Sequence, residues 1–251
     1  MSSRRAALRQ QQLAEEQAKR TKRIAIAAIA IVTVAVVAVL ALLGVRALSP
    51  DAPTGGQGRP PAATAGHGIL VAGKAPVDGV PHLVMWGDYQ CPYCAVAEHA
   101  YGEAIIGLVD DGRLTAEVRT AHFRDGKAEF GPSRRAAMAA AAADAVGHFD
   151  AYHVALYEAM GNGFPDAFLR EELPARLGIT GSDLDAFQRA YDDRTFAQFT
   201  ADANEALYAS GVEGTPSYQV DGVDLELFGP GGQPAFATPE ALLGAITAAA
   251  R

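Results

Sequence analysis

The only two cysteines of this 251-residue chain stand three positions apart, in Cys91-Pro92-Tyr93-Cys94, directly after the apolar run His82 to Trp86 (HLVMW) and a short link. Proline fits the first turn of a helix, where its missing N–H goes unused. The arrangement predicts a buried strand that feeds a helix carrying both thiols on its first residues. A cysteine at a helix N-terminus meets free N–H groups and the positive end of the macrodipole, which favour its thiolate. The second cysteine, one turn on, can bond to the first, and a strained, half-exposed disulfide of that kind exchanges readily. Two plainer readings compete. A structural disulfide across so short a loop would stabilise little. Half of a zinc site would need two more ligands, and there is no third cysteine. The pattern favours dithiol redox chemistry.

The rest of the chain can be read around that junction. Gly68 to Val71 reads as a short strand, and helix is expected from Pro92 to about Val109, ended by Gly112. Leu114 to Phe123 reads as a second strand, which completes a β-α-β unit. Pro132 opens an Ala-rich helix closed by Gly147. Phe149, Tyr152, Leu156, Tyr157 and Met160 then form a helical stripe, read as core. Ser182-Asp183-Leu184-Asp185 resembles a capping box with Asp in place of Glu. Phe196, Phe199, Ala203, Ala206 and Leu207 make a further helical stripe, ended by Gly211. Ser217–Val220 and Val223–Phe228 flank Asp221-Gly222, a strong hairpin signal. Thr238-Pro239 caps and opens a last helix.

The stretch Trp86-Gly87-Asp88-Tyr89-Gln90-Cys91-Pro92-Tyr93-Cys94 resembles the active-site segment of the DsbA-like branch of the thioredoxin superfamily. Gly211-Val212-Glu213-Gly214-Thr215-Pro216 resembles that family's second signature, the cis-proline loop. The resemblance covers residues 67–251 and implies an α/β thioredoxin fold. A helical insertion, about 131–211, would lie between its β-α-β and β-β-α halves. It implies Cys91 and Cys94 as the catalytic couple, Pro92-Tyr93 as the active-site dipeptide, and Thr215 and cis-Pro216 facing the disulfide and binding substrate. A cis bond at proline in a tight turn is physically reasonable. One position departs from the family. Relatives carry a buried acid six residues before the first cysteine, and here that residue is Met85, which cannot ionise. Asp88 is expected near the exposed helix mouth, and His99, five residues past Cys94, is a weak modulator candidate. The lone tryptophan, Trp86, is expected with its ring beside the redox centre. His148 and His153 have the wrong spacing for one helical face and no paired carboxylates, so no metal or cofactor is expected.

Charge and hydropathy separate the N-terminus from the rest. Residues 1–23 hold seven Lys/Arg and two Glu, whereas the remainder holds 14 basic and 27 acidic groups. So acidic a body is a poor nucleic-acid ligand. Residues 24–45 carry no charge and are long enough to cross a bilayer as a helix. The basic side stays cytoplasmic under the positive-inside bias. The expected order is therefore a cytoplasmic tail (1–23), a single-pass membrane anchor (24–45), a Pro/Gly-rich linker (46–66) and an extracytoplasmic domain (67–251). A cleaved signal peptide is the competing reading, although its apolar region would be shorter.

Together these readings describe a membrane-tethered thiol–disulfide oxidoreductase of the cell envelope, an oxidase that introduces disulfides into exported proteins. The resemblance implies reoxidation by a membrane partner of the DsbB or vitamin-K-epoxide-reductase type. An envelope reductase or isomerase is the first alternative, and a non-catalytic tethered chaperone or binding module the second.

Overall fold

The computed structural model describes residues 58–250. The tail 1–23, the apolar segment 24–45 and the linker as far as residue 57 lie outside the described residues. Among the described residues no helix is long and apolar enough to cross a membrane.

The central strand of the sheet feeds the first long helix. Strand β1 (Ile69–Leu70) and strand β2 (His82–Gly87) precede helix α1 (Pro92–Asp110), and strand β3 (Thr115–Thr120) follows it. β2 pairs with β3 in parallel, from His82 opposite Thr115 to Gly87 opposite Thr120, so β2-α1-β3 is the β-α-β unit expected. β1 lies antiparallel on the outer side of β3. Beyond α1 and β3 come helices α2 (Pro132–Asp144), α3 (Phe149–Glu158), α4 (Leu173–Arg176), α5 (Gly181–Asp192) and α6 (Ala197–Ala209). Strands β4 (Ser217–Val220) and β5 (Val223–Asp224) and helix α7 (Pro239–Ala249) complete the chain. The mixed sheet runs β1-β3-β2-β4-β5. This is the thioredoxin fold with a helical insertion, α2 to α6, at the expected place.

Strand β2 is covered on both faces, and its period of two divides the interior. Leu83 and Met85 join the large core formed with α1, α3 and α7. Val84 and Trp86 join a separate cluster with Ala121 and Leu207 on the other face. Helix α2 is buried all round: Ala136 to Ala143 are at most 2% exposed, Met138 included. Alanine costs no rotamer entropy in a helix, and its small size lets neighbouring helices approach closely. In the β4–β5 hairpin, Asp221 and Gly222 have φ of 50° and 83°, the pair of left-handed residues that a two-residue hairpin turn requires. Thr238 caps α7, its hydroxyl accepting from the Ala241 amide at 3.2 Å.

Several expectations change. Strand β5 stops at Asp224 rather than Phe228, because Leu227 turns inward and its carbonyl accepts the Tyr101 hydroxyl of α1 at 2.6 Å. β3 ends at Thr120 rather than Phe123, because Phe123–Asp125 forms a 3-10 turn whose aspartate caps α2. The capping box at Ser182 does not form: Gly181, with φ of 60°, already opens α5, which places Ser182 inside the first turn. The folded part also includes residues 58–66, given above to the linker. There the Ala62 amide donates to Asp144 at 2.8 Å and Ala63 bridges Ile69.

Candidate active site

Cys91 is the N-cap of α1, with an extended backbone (φ −84°, ψ 116°), and Pro92 follows at the first helical position. The turn before it is closed by the Cys91 amide donating to the Asp88 carbonyl at 2.8 Å. The chain thus leaves β2, makes one tight turn and enters the helix with both thiols in its first turn. Across from them the Thr215–Pro216 peptide bond is cis. The Cys91 sulfur lies 3.3 Å from the Thr215 carbonyl oxygen, to which it donates when protonated. The Thr215 hydroxyl is buried beside the sulfurs.

The two thiols differ sharply. A hydrogen bond from Cys94, working against burial, lowers the Cys91 pKa to about 5, helped by the Cys94 and Tyr93 amides and by Thr215. The same hydrogen bond from the other side, together with burial and the charge of Cys91, pushes the Cys94 thiol far up. One proton is thus held on Cys94, and the charge rests on Cys91. Such a pair can exchange thiol for disulfide, with Cys91 as the thiolate that attacks or departs.

Cys94 borders a small pocket of mixed polar and apolar lining. A cavity of about 30 Å³ is lined by Met85, Gly87, Cys94, Glu98, Val118, His153, Tyr157 and Tyr218, among others. Gly87 is needed there, since a Cβ on it would sit 2.5 Å from the Tyr157 hydroxyl and 3.9 Å from the Cys94 sulfur. Glu98 Oε2 lies 3.4 Å from His153 Nε2. His153 Nδ1 lies 2.9 Å from the Tyr89 hydroxyl. The imidazole is enclosed by Phe149, Tyr89 and Tyr157.

A thioredoxin family model matches residues 73–228, more than half of the chain and both thiols within it. The chain belongs to the thioredoxin family. No curated protein matches it in sequence. Among solved structures it is similar to the thiol-disulfide oxidoreductase MdbA of Actinomyces oris (20% identity, 80% of this chain and 96% of that one, TM-score 0.62). It is also similar to MdbA of Corynebacterium diphtheriae (17%, 68% and 90%, TM-score 0.57). A third likeness is to the disulfide oxidoreductase DsbG of Mycobacterium tuberculosis (24%, 74% and 89%, TM-score 0.54). These likenesses show the same fold as those thiol-disulfide oxidoreductases.

The structure of this thioredoxin brings Cys91, Pro92, Cys94, Thr215 and Pro216 together, and leaves Tyr93 outside as a 71% exposed ring. Three placements are corrected. Cys91 is not half-exposed; it is 4% exposed, almost as deep as Cys94 at 3%. Asp88 is not at the exposed helix mouth but fully buried, accepting from the Gln90 amide (2.8 Å), the Ser133 hydroxyl (2.6 Å) and the Arg124 amide (3.2 Å). Burial pushes its carboxyl up, and those three bonds oppose the shift. The ring of Trp86 packs on the sheet face opposite Met85 and Gly87, under the Arg119 guanidinium at 5.0 Å, because neighbouring residues of a strand point to opposite faces. His99 is turned back to the Ala95 carbonyl at 2.9 Å on the outside of α1.

Glu98 and His153 were missed as site residues. The signal for Glu98 was present in the sequence: it stands four residues after Cys94, on the same helical face, whereas His99 stands five after. His153 falls between Phe149 and Tyr157 at i+4 spacing, inside the stripe assigned to core.

Proposed function

We propose that this thioredoxin is a thiol–disulfide oxidoreductase acting outside the cytoplasm, as a dithiol oxidase that introduces disulfides into exported proteins. The observation that carries the reading is the unequal thiol pair. A Cys91 thiolate held by hydrogen bonds, beside a Cys94 thiol kept protonated, stabilises the reduced form, and a couple whose reduced form is stabilised is oxidising. In the reaction a substrate thiolate attacks the Cys91 sulfur of the oxidised enzyme. The Cys91–Cys94 bond breaks, and its electron pair goes to Cys94, which is protonated. A second substrate thiolate then attacks the substrate sulfur of the mixed disulfide and releases the Cys91 thiolate. The substrate loses two electrons and the enzyme gains them as a dithiol.

Cys91 is therefore assigned as the exchanging sulfur and Cys94 as the internal partner. Thr215 and Pro216 bind substrate, since the loop that holds them borders a groove of about 430 Å³ lined by Val212, Glu213, Ser217 and Asp224. An extended substrate can pair with exposed backbone at such an edge. Pro92 fixes the helix start, and exposed Tyr93 offers an apolar contact beside Cys91. Asp88 holds the turn rather than exchanging protons with solvent. Residues 24–45 anchor the domain in the membrane, with the N-terminus cytoplasmic, and a membrane oxidase of the DsbB or vitamin-K-epoxide-reductase type removes the electrons. No cofactor enters these steps.

Trapping thiols in intact cells with an alkylating agent tests the direction. Cys91 and Cys94 recovered mostly as a disulfide agree with an oxidase; a mostly reduced pair would mean an envelope reductase or isomerase. Absence of any turnover in peptide oxidation and insulin reduction would leave only a binding module.

A further inference from the structure

Thiol–disulfide exchange at Cys91 leaves a proton problem at Cys94. When the internal disulfide breaks, Cys94 departs as a buried thiolate that its surroundings disfavour, and when the disulfide reforms, the Cys94 thiol must first lose its proton. The strand position that would face this sulfur with a carboxyl carries Met85. The chamber behind Cys94 nevertheless holds one ionisable pair, Glu98 from α1 and His153 from α3, 3.4 Å apart. Its volume, about 30 Å³, admits a single water. Glu98 and Tyr157 also line a surface groove of about 350 Å³, together with His99, Glu103, Ile106 and Glu158. The same carboxylate thus borders both the pocket behind the sulfur and the surface groove.

We propose that Glu98 and His153 together form a proton relay for Cys94, supplying a proton when its sulfur leaves and removing it when its sulfur attacks. The proposal rests on the assignment of Cys91 and Cys94 made above. In the oxidising half, the Cys91–Cys94 bond breaks, the electron pair goes to Cys94, and the proton held between His153 Nε2 and Glu98 passes to that sulfur. In the reoxidising half, Cys91 is bound to a sulfur of the partner disulfide. The Cys94 thiol returns its proton to the pair, its thiolate attacks the Cys91 sulfur, and the partner sulfur leaves with the electron pair. Solvent in the surface groove resets the relay between halves.

The other groups facing the chamber do not compete. Tyr157 on α3, Tyr89 in the β2–α1 turn and Tyr218 on β4 are phenols that burial pushes well up, so they stay protonated at neutral pH. Asp88 faces Ser133 and two backbone amides, and only its own backbone reaches Cys94. His99 points outward. Asp150, at the start of α3, accepts from the Ala72 amide. Burial alone would raise Glu98, yet His153 and, more weakly, His99 hold it below the ordinary carboxylate value.

Acid-quenched mixing of the reduced protein with oxidised glutathione, read by mass spectrometry, separates the two chemical steps. The first is attack by Cys91 to give the glutathione adduct. The second is closure by Cys94. The expected result for Glu98→Gln is a first step within about twofold of the parent and a second step slowed ~10–100-fold at pH 6–7, with the deficit shrinking as pH rises. Glu98→Asp should restore most of the closure rate. Should Glu98→Gln fail to fold, His153→Gln, which keeps a polar group beside Tyr89, carries the same expectation. Closure at the parent rate across the whole pH range in either folded variant overturns the relay, as does an equal slowing of both steps, which would mark the pair as structural. Failure of the underlying assignment looks different: Cys91→Ser would then still form an adduct.

Discussion

The Ser133 hydroxyl donates to the Asp88 carboxylate at 2.6 Å, and through that bond the first helix of the insertion is tied to the turn that presents Cys91. Gln90 strengthens the tie, its side-chain amide donating to Ser133 (2.9 Å) and to Asp125 (3.2 Å), which itself caps α2. Both partners of the Ser133–Asp88 bond are fully buried, so neither can turn to water when the other is removed. Ser133→Ala is expected to cost about 1.5–3 kcal/mol, the range for a buried hydrogen bond to a charged group. Urea unfolding at constant m checks this; a loss below about 0.5 kcal/mol would show that the turn stands without the insertion.

Gly87 and Tyr157 make a second coupled pair. Gly87→Ala places a methyl group 2.5 Å from the Tyr157 hydroxyl, an overlap expected to cost about 1–3 kcal/mol. Tyr157→Phe removes the clashing oxygen, leaving the ring carbon at 3.8 Å. The double variant should therefore be less destabilised than the sum of the two single ones, by about 1 kcal/mol. Additive melts would place the strain elsewhere.

Thr215→Val removes the buried hydroxyl beside the sulfurs, whose hydrogen bonding is one of the influences that lower Cys91. The Cys91 pKa should rise from about 5 and the couple should become more reducing, moving from the ~ −120 mV side toward the ~ −270 mV of thioredoxin. The sign for stability follows from the same shift. A thiol depressed in the folded state stabilises the reduced protein fully above its unfolded pKa, and that contribution is lost as pH falls toward about 5. Chemical melts of the reduced and oxidised proteins between pH 9 and 5 should converge less steeply in Thr215→Val. Thiolate absorbance unchanged by the substitution would remove Thr215 from the account.

Asp144 gives the opposite sign. Burial raises its carboxyl to about 6, against the Ala62 amide that it accepts and with Asp150 adding to the rise. The folded protein therefore binds this proton more tightly than the unfolded chain does, so stability falls as pH climbs from about 4 to about 6 and is flat above. Asp144→Asn keeps an acceptor for Ala62 without the charge. It should stabilise the protein at pH 7.5 by ~1 kcal/mol, discounted for the partial exposure of the carboxylate, and have no effect near pH 4. An equal effect at both pH values would exclude the charge as its cause.

Much of the frame was legible because its signals are local. Pro92 after a cysteine, Asp221-Gly222 between alternating runs and Thr238-Pro239 each fix a backbone conformation within a few residues, and all three stand where expected. Residues whose roles depend on distant partners were not. Asp88 looks like a surface residue of a turn until Ser133, 45 positions later, closes over it. His153 could be read as core because its partners Glu98 and Tyr89 lie more than fifty residues away. The period of two in β2 was readable, and applied to Trp86 it places the indole opposite Gly87. The expectation of the indole ring beside the redox centre neglects that alternation.

The depth of Cys91 has a further consequence. An acidic thiolate is the species that peroxide converts to sulfenic and then irreversibly to sulfinic acid, at a rate set by thiolate character and exposure together. Here the first factor is high and the second nearly absent, with 4% of the residue open to solvent. Low exposure therefore works against the acidity of the thiolate and slows its attack on peroxide. Depth in the fold thus tempers the over-oxidation that so acidic a thiol would otherwise invite.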